Sequence, residues 1–288
     1  MKKSKILITG STGFIGSTIL DFLKKKNFQT YAILKDNKKR NIKSHKNYHL
    51  ILYKNLSELE EKLKNHKFKV LINCATLYSK DDDSETILNM IEANISFFSI
   101  ILKQTIKDVN LIINFGSMME HLRYKNKFYM NFYSITKSTM ENIINLFIYK
   151  KKTKFINIKL FETFGEKDQR KKIIPTIIKN YNLNKTTKIS PANLKLNFIN
   201  VSSIIRIIES AMLNKHLNSG NYCLRNSKFI SFKSLIFSLN KKLIKKIKIK
   251  FLSGKHMLNS KTKYEYIKNI YTKDNVEDFL LKKLINAK

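Results

Sequence analysis

Cysteine, proline, glycine and tryptophan are all scarce in this 288-residue chain, which contains two, two, seven and none of them. Two cysteines, Cys74 and Cys223, exclude a disulfide framework, and each lies in an apolar segment, as a small buried residue would. No low-complexity linker divides the chain, and hydrophobic residues at 43% with aromatics at 11% indicate a globular protein. A reducing cytoplasm fits this composition.

Long hydrophobic runs are also missing, since none approaches the roughly 20 residues that cross a bilayer. The N-terminus resembles a signal peptide only briefly. Residues 10–13 interrupt its apolar stretch, and no small-residue cleavage site follows. We therefore expect a cytoplasmic protein without membrane insertion.

Acidic residues are few, and the formal net charge is +35 at pH 7. Such a charge suits nucleic acid or an anionic membrane as a partner, but basic binding surfaces are usually clustered. Lysine is scattered here beside abundant asparagine and isoleucine, all with A/T-rich codons, so genome composition accounts for the charge without nucleic acid. The densest cluster, 241–250, alternates in its second half and suits a half-exposed strand at least as well as a phosphate-binding patch.

Short apolar segments alternate with helical ones through the first half of the chain. The predicted strands are 5–9, 30–34, 49–53, 69–74, 110–115 and 154–161, and the predicted helices are 15–25, 57–64, 86–106 and 134–150. Ser57 and Glu60 have the spacing of a capping box at the start of the second helix. The alternation predicts an α/β fold, a Rossmann-type doubly wound parallel sheet with a smaller C-terminal substrate-binding lobe. We assign 1–165 to the dinucleotide-binding domain, with a return segment near 196–215, and assign 166–195 and 216–288 to the lobe.

Three of the seven glycines, Gly10, Gly13 and Gly16, form a Gly-x-x-Gly-x-x-Gly turn between the first strand and the first helix. A glycine that ends the strand permits a tight turn, the next lets the backbone approach a pyrophosphate, and the last allows close helix–strand packing. The N-terminus of the following helix then offers N–H groups to the anion. We expect an NAD(P) dinucleotide to bind on this turn, at Gly10, Thr12, Gly13, Phe14, Ile15 and Gly16.

The end of the second strand bears on the choice between NAD and NADP. An acidic side chain there bonds the ribose hydroxyl of NAD, whereas a cation accommodates the 2′-phosphate of NADP. The strand ends near Lys35, followed by Asp36 and then by Arg40. Lys35 and Arg40 favour NADP, while Asp36 keeps NAD open.

A tyrosine and a lysine four residues apart, Tyr133 and Lys137, share one face of a predicted helix. A neighbouring ammonium and an oxidised nicotinamide favour the phenolate and lower the tyrosine pKa from its ordinary value of about 10. Upstream, Ser117 follows the fifth strand and Gly116, where side chains meet the crevice at the carboxyl ends of the strands. Together these residues indicate acid–base chemistry on a substrate oxygen.

In these motifs the chain resembles the extended short-chain dehydrogenases/reductases, the nucleotide-sugar epimerase/dehydratase family. The resemblance covers nearly the full length, and its motifs are 9–16, 73–76, 92–94, Ser117, Tyr133 with Lys137, 159–165 and 196–201. It implies a catalytic triad of Ser117, Tyr133 and Lys137. It further implies that Asn94 supports Lys137, that Ala75 lies against the cofactor, and that the region of Thr163 approaches the nicotinamide.

The same resemblance implies a nucleotide-sugar substrate for the C-terminal lobe and a possible homodimer through helices 86–106 and 134–150. Three positions depart from the family pattern. Asn55 stands where an acidic residue usually follows the third strand, which would weaken the adenine contact. Ser202 and Ser203 replace an acidic pair, and 164–166, Phe-Gly-Glu, replaces Tyr-Gly-Pro.

Met118 and Met119 bear on the reaction, because dehydratases of this family carry Asp-Glu directly after the catalytic serine or threonine to eliminate water. Here only Glu120 lies beyond them, which disfavours dehydration, and the interval from Ser117 to Tyr133 is short for an epimerase. The chain is most similar to the branch that reduces nucleotide-linked 4-keto-6-deoxyhexoses in deoxysugar and lipopolysaccharide biosynthesis.

Arg170 and Lys172 follow in a segment that is similar to the same branch, and they are candidates for binding the substrate diphosphate, unless they are simply solvated. Two other functions stay open. A 4-epimerase with tightly bound NAD would use the same residues without net oxidation, and a non-catalytic or nucleic-acid-binding protein could keep the fold. The intact Ser117, Tyr133 and Lys137 argue against the second, and no metal site is expected.

Overall fold

The computed structural model describes residues 4–36, 46–81, 83–121, 123–124, 128–129, 131–189, 195–213, 217–253 and 267–286. Strands and helices alternate through the first part of the chain. They are β1 (Ile6–Thr9), α1 (Phe14–Lys25), β2 (Thr30–Lys35), β3 (Tyr48–Tyr53), α2 (Leu56–Leu63), β4 (Val70–Asn73), α3 (Ser84–Ile91), a π-helical turn (Glu92–Ser96), α4 (Phe97–Thr105), β5 (Leu111–Ser117), a 3-10 turn (Met118–His121), β6 (Arg123–Tyr124), β7 (Phe128–Tyr129), α5 (Phe132–Ile148) and β8 (Lys154–Leu160).

Shorter elements follow in the second part of the chain. They are β9 (Glu162–Phe164), α6 (Ile173–Asn182), β10 (Thr187–Ile189), β11 (Lys195–Leu196), β12 (Phe198–Asn200), α7 (Val201–Met212), β13 (Gly220–Asn226), β14 (Ile230–Ser231), α8 (Phe232–Lys242), β15 (Ile249–Phe251), β16 (Lys268–Thr272) and α9 (Val276–Ile285).

Eight strands form one sheet in the order β16-β13-β8-β5-β4-β1-β2-β3. β1 pairs in parallel with β2 on one side and with β4 on the other, β2 continues to β3, and β4 continues to β5. The strand order therefore reverses at β1, and this reversal leaves a crevice at the carboxyl ends of β1 and β4. The predicted Rossmann-type α/β sheet is confirmed.

The six predicted strands correspond to β1 to β5 and β8, with every boundary within two residues of its prediction. The predicted capping box was wrong. Asn55, not Ser57, is the N-cap of α2, because its side chain accepts the N–H of Glu58 at 2.9 Å and the Glu58 carboxylate accepts the N–H of Lys54 at 2.7 Å. Asn55, which stands where the family usually has an acidic residue, therefore caps the start of α2.

The lysine-rich cluster 241–250 is less regular than its alternation suggests. Lys241 and Lys242 end α8, and only Ile249–Phe251 at the end of the cluster forms a strand, which pairs in parallel with β10. The half-exposed strand predicted there is consequently short.

The chain divides into two compact units. Unit 1 comprises Met1–Lys159, Ile205–Tyr222 and Tyr266–Lys268, and unit 2 comprises Leu160–Ile204, Cys223–Glu265 and Asn269–Lys288. The return segment is therefore 205–222 rather than 196–215. The reason is that β12 pairs with β9 inside unit 2, which keeps the preceding residues in that unit.

The core of unit 1 is one apolar cluster between the sheet and the helices α2, α4 and α5. The strands contribute Leu7, Leu71, Ile112 and Phe155, and the helices contribute Leu59, Leu63, Phe97, Phe98, Ile101, Leu102, Met140 and Ile144. The run Ser84–Thr105 is long and apolar enough to span a membrane by length and composition alone. Its α4 part, however, packs into this core, and the core helix of a globular unit passes the same test of length and composition.

Unit 2 has its own apolar cluster, to which α6, α8 and α9 contribute around Phe164 and Phe198. One carboxylate, that of Asp274, accepts the N–H of Asn200 at 2.9 Å and the hydroxyl of Ser203 at 2.6 Å. Asp274 thus brings an acidic group to the start of α7, where Ser202 and Ser203 replace the acidic pair of the family.

A row of buried hydrogen bonds crosses β1, β4, β5, β8 and β13 in unit 1. Each member donates to the next at 2.8 to 2.9 Å, and we call this series the asparagine row: Thr9, Asn73, Asn114, Asn157 and Asn221. The register supports it, because Thr9 lies opposite Asn73 and Asn73 lies opposite Asn114. Each amide therefore satisfies its neighbour inside a sheet where water cannot do so.

Replacing Asn114 by alanine should destabilise unit 1. The change leaves the Asn73 donor and the Asn157 acceptor unpaired, and each unsatisfied buried group costs about 1 to 3 kcal/mol. We expect the free energy of unfolding in urea to fall by at least about 2 kcal/mol. Asn142→Ala on the exposed face of α5 is the control and should change it by less than about 0.5 kcal/mol. Equal stability of the two variants would contradict this account.

Candidate active site

The glycine turn is built so tightly that two of its positions exclude a side chain. Gly10 has φ +64°, and a Cβ there would lie 2.6 Å from the backbone N of Ala75. A Cβ on Gly16 would lie 2.1 Å from the carbonyl oxygen of Gly10. The same oxygen accepts the N–H of Gly13 at 2.9 Å. The turn therefore brings Ala75, the predicted neighbour of the cofactor, directly against Gly10.

Helix α1 begins at Phe14, with Gly13 as its N-cap. Gly13 has no side chain with which to cap the first turn, and that turn contains no acidic residue. Its N–H groups and the positive end of the helix dipole therefore suit an anion such as a pyrophosphate.

Ser11 provides a second sign of a ligand on the turn. Its side chain is buried, and its hydroxyl has no hydrogen-bond partner among the described residues. A buried hydroxyl without a partner is costly in a folded chain, and a phosphate oxygen would satisfy it. The residues of the turn therefore fit a dinucleotide.

Lys35, predicted to select the cofactor, lies at the end of β2 in an ion pair. Its Nζ is 3.1 Å from Oε1 of Glu92 in the π-helical turn, and both side chains are partly exposed. Burial and the Glu92 charge raise the pKa of the nearby Tyr53 to about 12. The N–H of Asp36 donates to the Tyr53 carbonyl at 2.8 Å, and Arg40 lies outside the described residues.

The predicted triad lies on two elements of unit 1. Ser117 ends β5, and its Oγ accepts the N–H of Met119 at 3.2 Å. Tyr133 and Lys137 lie one turn apart on α5, whose N-cap Asn131 accepts the N–H of Ser134 at 2.9 Å. The Tyr133 ring packs edge-on against Tyr78, with ring centroids 5.0 Å apart.

Lys137 is only 4% exposed, and its charge is the main electrostatic feature of the site. Burial lowers the pKa of Lys137, the negative charge of Glu120 acts in the opposite direction, and the Lys159 charge lowers it further. The ammonium is therefore held in an interior where only nearby anionic groups favour its charged form.

Asn94 lies in the π-helical turn, and its side chain forms four hydrogen bonds. Nδ2 donates to the Leu77 carbonyl at 2.9 Å and to Thr136 Oγ1 at 3.0 Å, while Oδ1 accepts from Leu77 N at 2.7 Å and Thr76 Oγ1 at 3.1 Å. These bonds use the whole capacity of the amide. Its side chain therefore supports the residue that precedes Lys137 on α5, and π-helical turns are frequent at functional sites.

A buried ion cluster beside Ser117 was not foreseen from the sequence. Lys159 Nζ lies 2.6 Å from both Glu120 Oε2 and Glu141 Oε2, and Lys159 and Glu120 are 3% or less exposed. Burial alone would lower the pKa of Lys159, but the two carboxylates outweigh it and raise that pKa. The available signal was a lysine within the otherwise apolar end of β8, next to Leu160.

In unit 2 the structure brings Thr163 and Arg170 together. The Arg170 Nη2 donates to the Thr163 carbonyl at 2.8 Å and to its hydroxyl at 3.0 Å, and the guanidinium also pairs with Asp168 at 2.8 Å. Lys172 Nζ lies 3.7 Å from the carboxylate of Glu162. Asp168 and Glu162 were missing from the predicted site, and both predicted diphosphate ligands already have a carboxylate partner.

Comparison with known proteins shows the family to which the chain belongs. Residues 6–221 match the NAD dependent epimerase/dehydratase family. CDP-abequose synthase of Yersinia pseudotuberculosis is 31% identical over 208 residues, which cover 71% of this chain and 71% of that protein.

Two solved structures show the same fold along almost the whole chain. MoeE5 in complex with UDP-glucuronic acid and NAD has a TM-score of 0.78 at 13% identity, covering 99% of this chain and 100% of that one. The UDP-N-acetylglucosamine 4-epimerase of Methanobrevibacter ruminantium M1, in complex with UDP-N-acetylmuramic acid, has a TM-score of 0.74 at 18% identity, covering 99% and 96%. The chain belongs to the NAD dependent epimerase/dehydratase family, and it is an enzyme that uses a nicotinamide dinucleotide.

Replacing Ser11 by alanine should shift stability and cofactor affinity in opposite directions. Loss of an unsatisfied buried hydroxyl should raise the free energy of unfolding without cofactor by about 1 kcal/mol. Loss of a bond to a charged phosphate should weaken dinucleotide binding about tenfold. Thermal unfolding and titration calorimetry measure the two effects.

Ser17→Ala is the matched control for Ser11→Ala, because the Ser17 hydroxyl bonds the Phe14 carbonyl at 3.2 Å within the helix. We expect it to leave the affinity within twofold. If Ser11→Ala binds the dinucleotide as tightly as the unmodified chain, the hydroxyl does not contact the cofactor.

Proposed function

We propose that this enzyme uses NADPH to reduce the 4-keto group of a nucleotide-linked 4-keto-6-deoxyhexose, in deoxysugar synthesis for a surface polysaccharide. The observation that carries the proposal is the buried side chain of Lys137, one helical turn from Tyr133, with Ser117 at the end of the neighbouring strand β5. The relative named CDP-abequose synthase supports the nucleotide-sugar part of the proposal.

Each of the three residues has a separate task in this reduction. When bound, the reduced nicotinamide supplies a hydride to the carbonyl carbon. Ser117 keeps its hydroxyl proton while its oxygen accepts the Met119 N–H, so it can donate to the carbonyl oxygen of the sugar. Tyr133 protonates that oxygen as it becomes an alkoxide, and the proton is replaced from solvent. Lys137 favours the resulting phenolate by its positive charge.

Met118 and Met119 argue against elimination of water. They form the start of the 3-10 turn directly after Ser117, and Met118 is buried. Thioethers neither donate nor remove protons at neutral pH, whereas a dehydratase needs an additional acid and base. The remaining carboxylate in the turn, Glu120, is buried in the ion pair with Lys159 and serves neither role.

The preference for NADPH rests on Lys35. Its ammonium is partly exposed at the end of β2, where a 2′-phosphate would lie in this fold. Glu92 holds the ammonium in place and competes with the phosphate for it. Arg170 and Lys172 remain the proposed ligands of the substrate diphosphate, and each would share its charge with its present carboxylate partner.

A 4-epimerase is the second candidate, since one of the similar folds is that of a UDP-N-acetylglucosamine 4-epimerase. Such an enzyme returns the hydride to the sugar and consumes no cofactor. NADPH absorbance at a fixed amount of keto sugar distinguishes the two reactions, because only a reductase oxidises one NADPH for each sugar. The same assay with NADH ranks the two cofactors by kcat/KM.

Tyr133→Phe should lower kcat by a factor of about 100 or more, since a positioned proton donor contributes roughly 10²- to 10⁴-fold. The variant should keep its affinity for NADPH, which a fluorescence titration measures. The control is the double variant that combines Tyr133→Phe with Phe132→Tyr. It carries a phenol at the adjacent position, on a different face of α5, and should therefore stay as inactive as Tyr133→Phe. A Tyr133→Phe enzyme with full turnover would refute the assignment.

The pH profile should show the buried state of Lys137. Its pKa is lowered chiefly by burial, so the ammonium is lost at a lower pH than that of an ordinary lysine. Reductase activity should therefore fall as pH rises through this lowered pKa. The measurement is kcat as a function of pH, from pH 6 to about pH 10.5, where an ordinary lysine loses its proton. A profile that stays flat across that range would show that the charge of Lys137 is not required.

A further inference from the structure

The turn after Ser117 folds back so that its own carboxylate bonds the serine backbone. Glu120 is 2% exposed, and its Oε1 accepts the Ser117 N–H at 2.5 Å. A bond to an ionised carboxylate is among the stronger hydrogen bonds in proteins. The position of the Ser117 backbone therefore depends on where this carboxylate is held.

Lys159 holds that carboxylate from the next strand of the sheet. Its Nζ lies 2.6 Å from Oε2 of Glu120, so the two oxygens of Glu120 join Ser117 to β8. Glu141 on α5 is the second partner of Lys159, and its other oxygen accepts from Asn221 at 2.6 Å. Asn221 ends the asparagine row, so the anchor of Glu120 is itself fixed on both sides.

Gly116 provides the space that this arrangement needs. A Cβ at this position would lie 2.8 Å from Oε1 of Glu120 and 3.2 Å from Cγ of Lys159. The first of these contacts is closer than real Cβ atoms accept, so the Glu120 carboxylate would have to shift. A glycine directly before Ser117 therefore leaves the room in which that carboxylate reaches the Ser117 N–H.

We propose that Glu120 is a positioning residue for the reductase: anchored by Lys159, its carboxylate fixes the backbone of Ser117 and thereby the place of the Ser117 hydroxyl. This inference rests on the proposed function, in which that hydroxyl binds the substrate oxygen. Positions in an active site matter at this scale, because a displacement of about 1 Å can cost on the order of 100-fold in rate.

The same carboxylate compensates the charge of Lys137. The titratable groups that act on Lys137 are Glu120, Cys74 and Lys159, while Glu141 on the same helix is bonded to Lys159. Burial raises the pKa of the Cys74 thiol, which leaves it neutral, so Glu120 is the effective anion. Its removal leaves two buried cations close together, and the charged form of Lys137 becomes less favourable.

The experiment compares Glu120→Gln with Glu141→Gln in the full chain. Both substitutions remove one carboxylate from Lys159, but only the first changes the partner of Ser117. We expect Glu120→Gln to lower kcat at least tenfold, with an NADPH dissociation constant within threefold of normal. The pH above which the kcat of Glu120→Gln falls should also be lower than in the unmodified enzyme. Glu141→Gln should keep kcat within about twofold, although both variants lose stability.

Equal losses of kcat in the two variants would overturn the proposal, since they would show that the cluster serves stability alone. A normal kcat and pH profile in Glu120→Gln would overturn it as well. If Glu120→Gln does not fold, Gly116→Ala takes its place. That change displaces the carboxylate without removing a charge, and it must lower kcat at least tenfold at an unchanged NADPH affinity.

A measurement without substrate separates this proposal from the proposed function. Selective ¹⁵N-serine labelling, with Ser117→Ala for assignment, gives the amide proton shift of Ser117. A short bond to a carboxylate moves that shift downfield, and we expect Glu120→Gln but not Glu141→Gln to reverse it. If the enzyme shows this pattern of shifts but does not reduce keto sugars, the proposed function is wrong while the positioning of Ser117 by Glu120 stands. An unchanged shift in Glu120→Gln removes the positioning role itself.

Discussion

One continuous hydrogen-bonded system joins the two halves of the site in unit 1. It begins at Thr9, which accepts the N–H groups of Cys74 and Ala75 beside the glycine turn, and it continues along the asparagine row. From Asn221 it passes through Glu141, Lys159 and Glu120 to the N–H of Ser117. Every member is buried or partly buried, so each requires its neighbour as a partner. The dinucleotide turn and the candidate serine therefore lie at the two ends of one hydrogen-bonded system, in which Glu120 is the member that bonds the serine backbone.

At two positions where the chain departs from the family pattern, the structure shows what takes the place of the expected acidic residues. The acidic group expected after the third strand is replaced by Asn55, which caps α2. The acidic pair after Val201 is replaced by serines, and Asp274 brings the carboxylate from elsewhere in unit 2. The change at Met118 and Met119 is not compensated in this way, because both positions directly after Ser117 carry thioethers and the Glu120 carboxylate beyond them is paired with Lys159. The proposed reduction, in place of a dehydration, rests on this last difference.

The sequence was sufficient for the fold and for proposing Ser117, Tyr133 and Lys137 as a triad, but not for the contacts that surround these residues. Apolar alternation and the glycine spacing are local signals, and β1 to β5 and β8 lie within two residues of their predictions. The partner of Lys159 is 39 residues away in Glu120, and the asparagine row joins residues from five strands, so neither has a local pattern. The sequence predicted Lys35 and Arg170 as phosphate ligands but did not predict their ion pairs with Glu92 and Asp168. Such pairs depend on the register of distant elements and follow only from the folded chain.

The central claim is that this enzyme performs a net reduction at a sugar carbonyl. The most direct measurement supplies NADPH deuterated at the transferable C4 position together with a nucleotide-linked 4-keto-6-deoxyhexose. The account predicts one deuterium on carbon 4 of the product sugar and one NADP formed for each sugar. A product without deuterium, or an epimerised sugar formed without loss of NADPH, would contradict it.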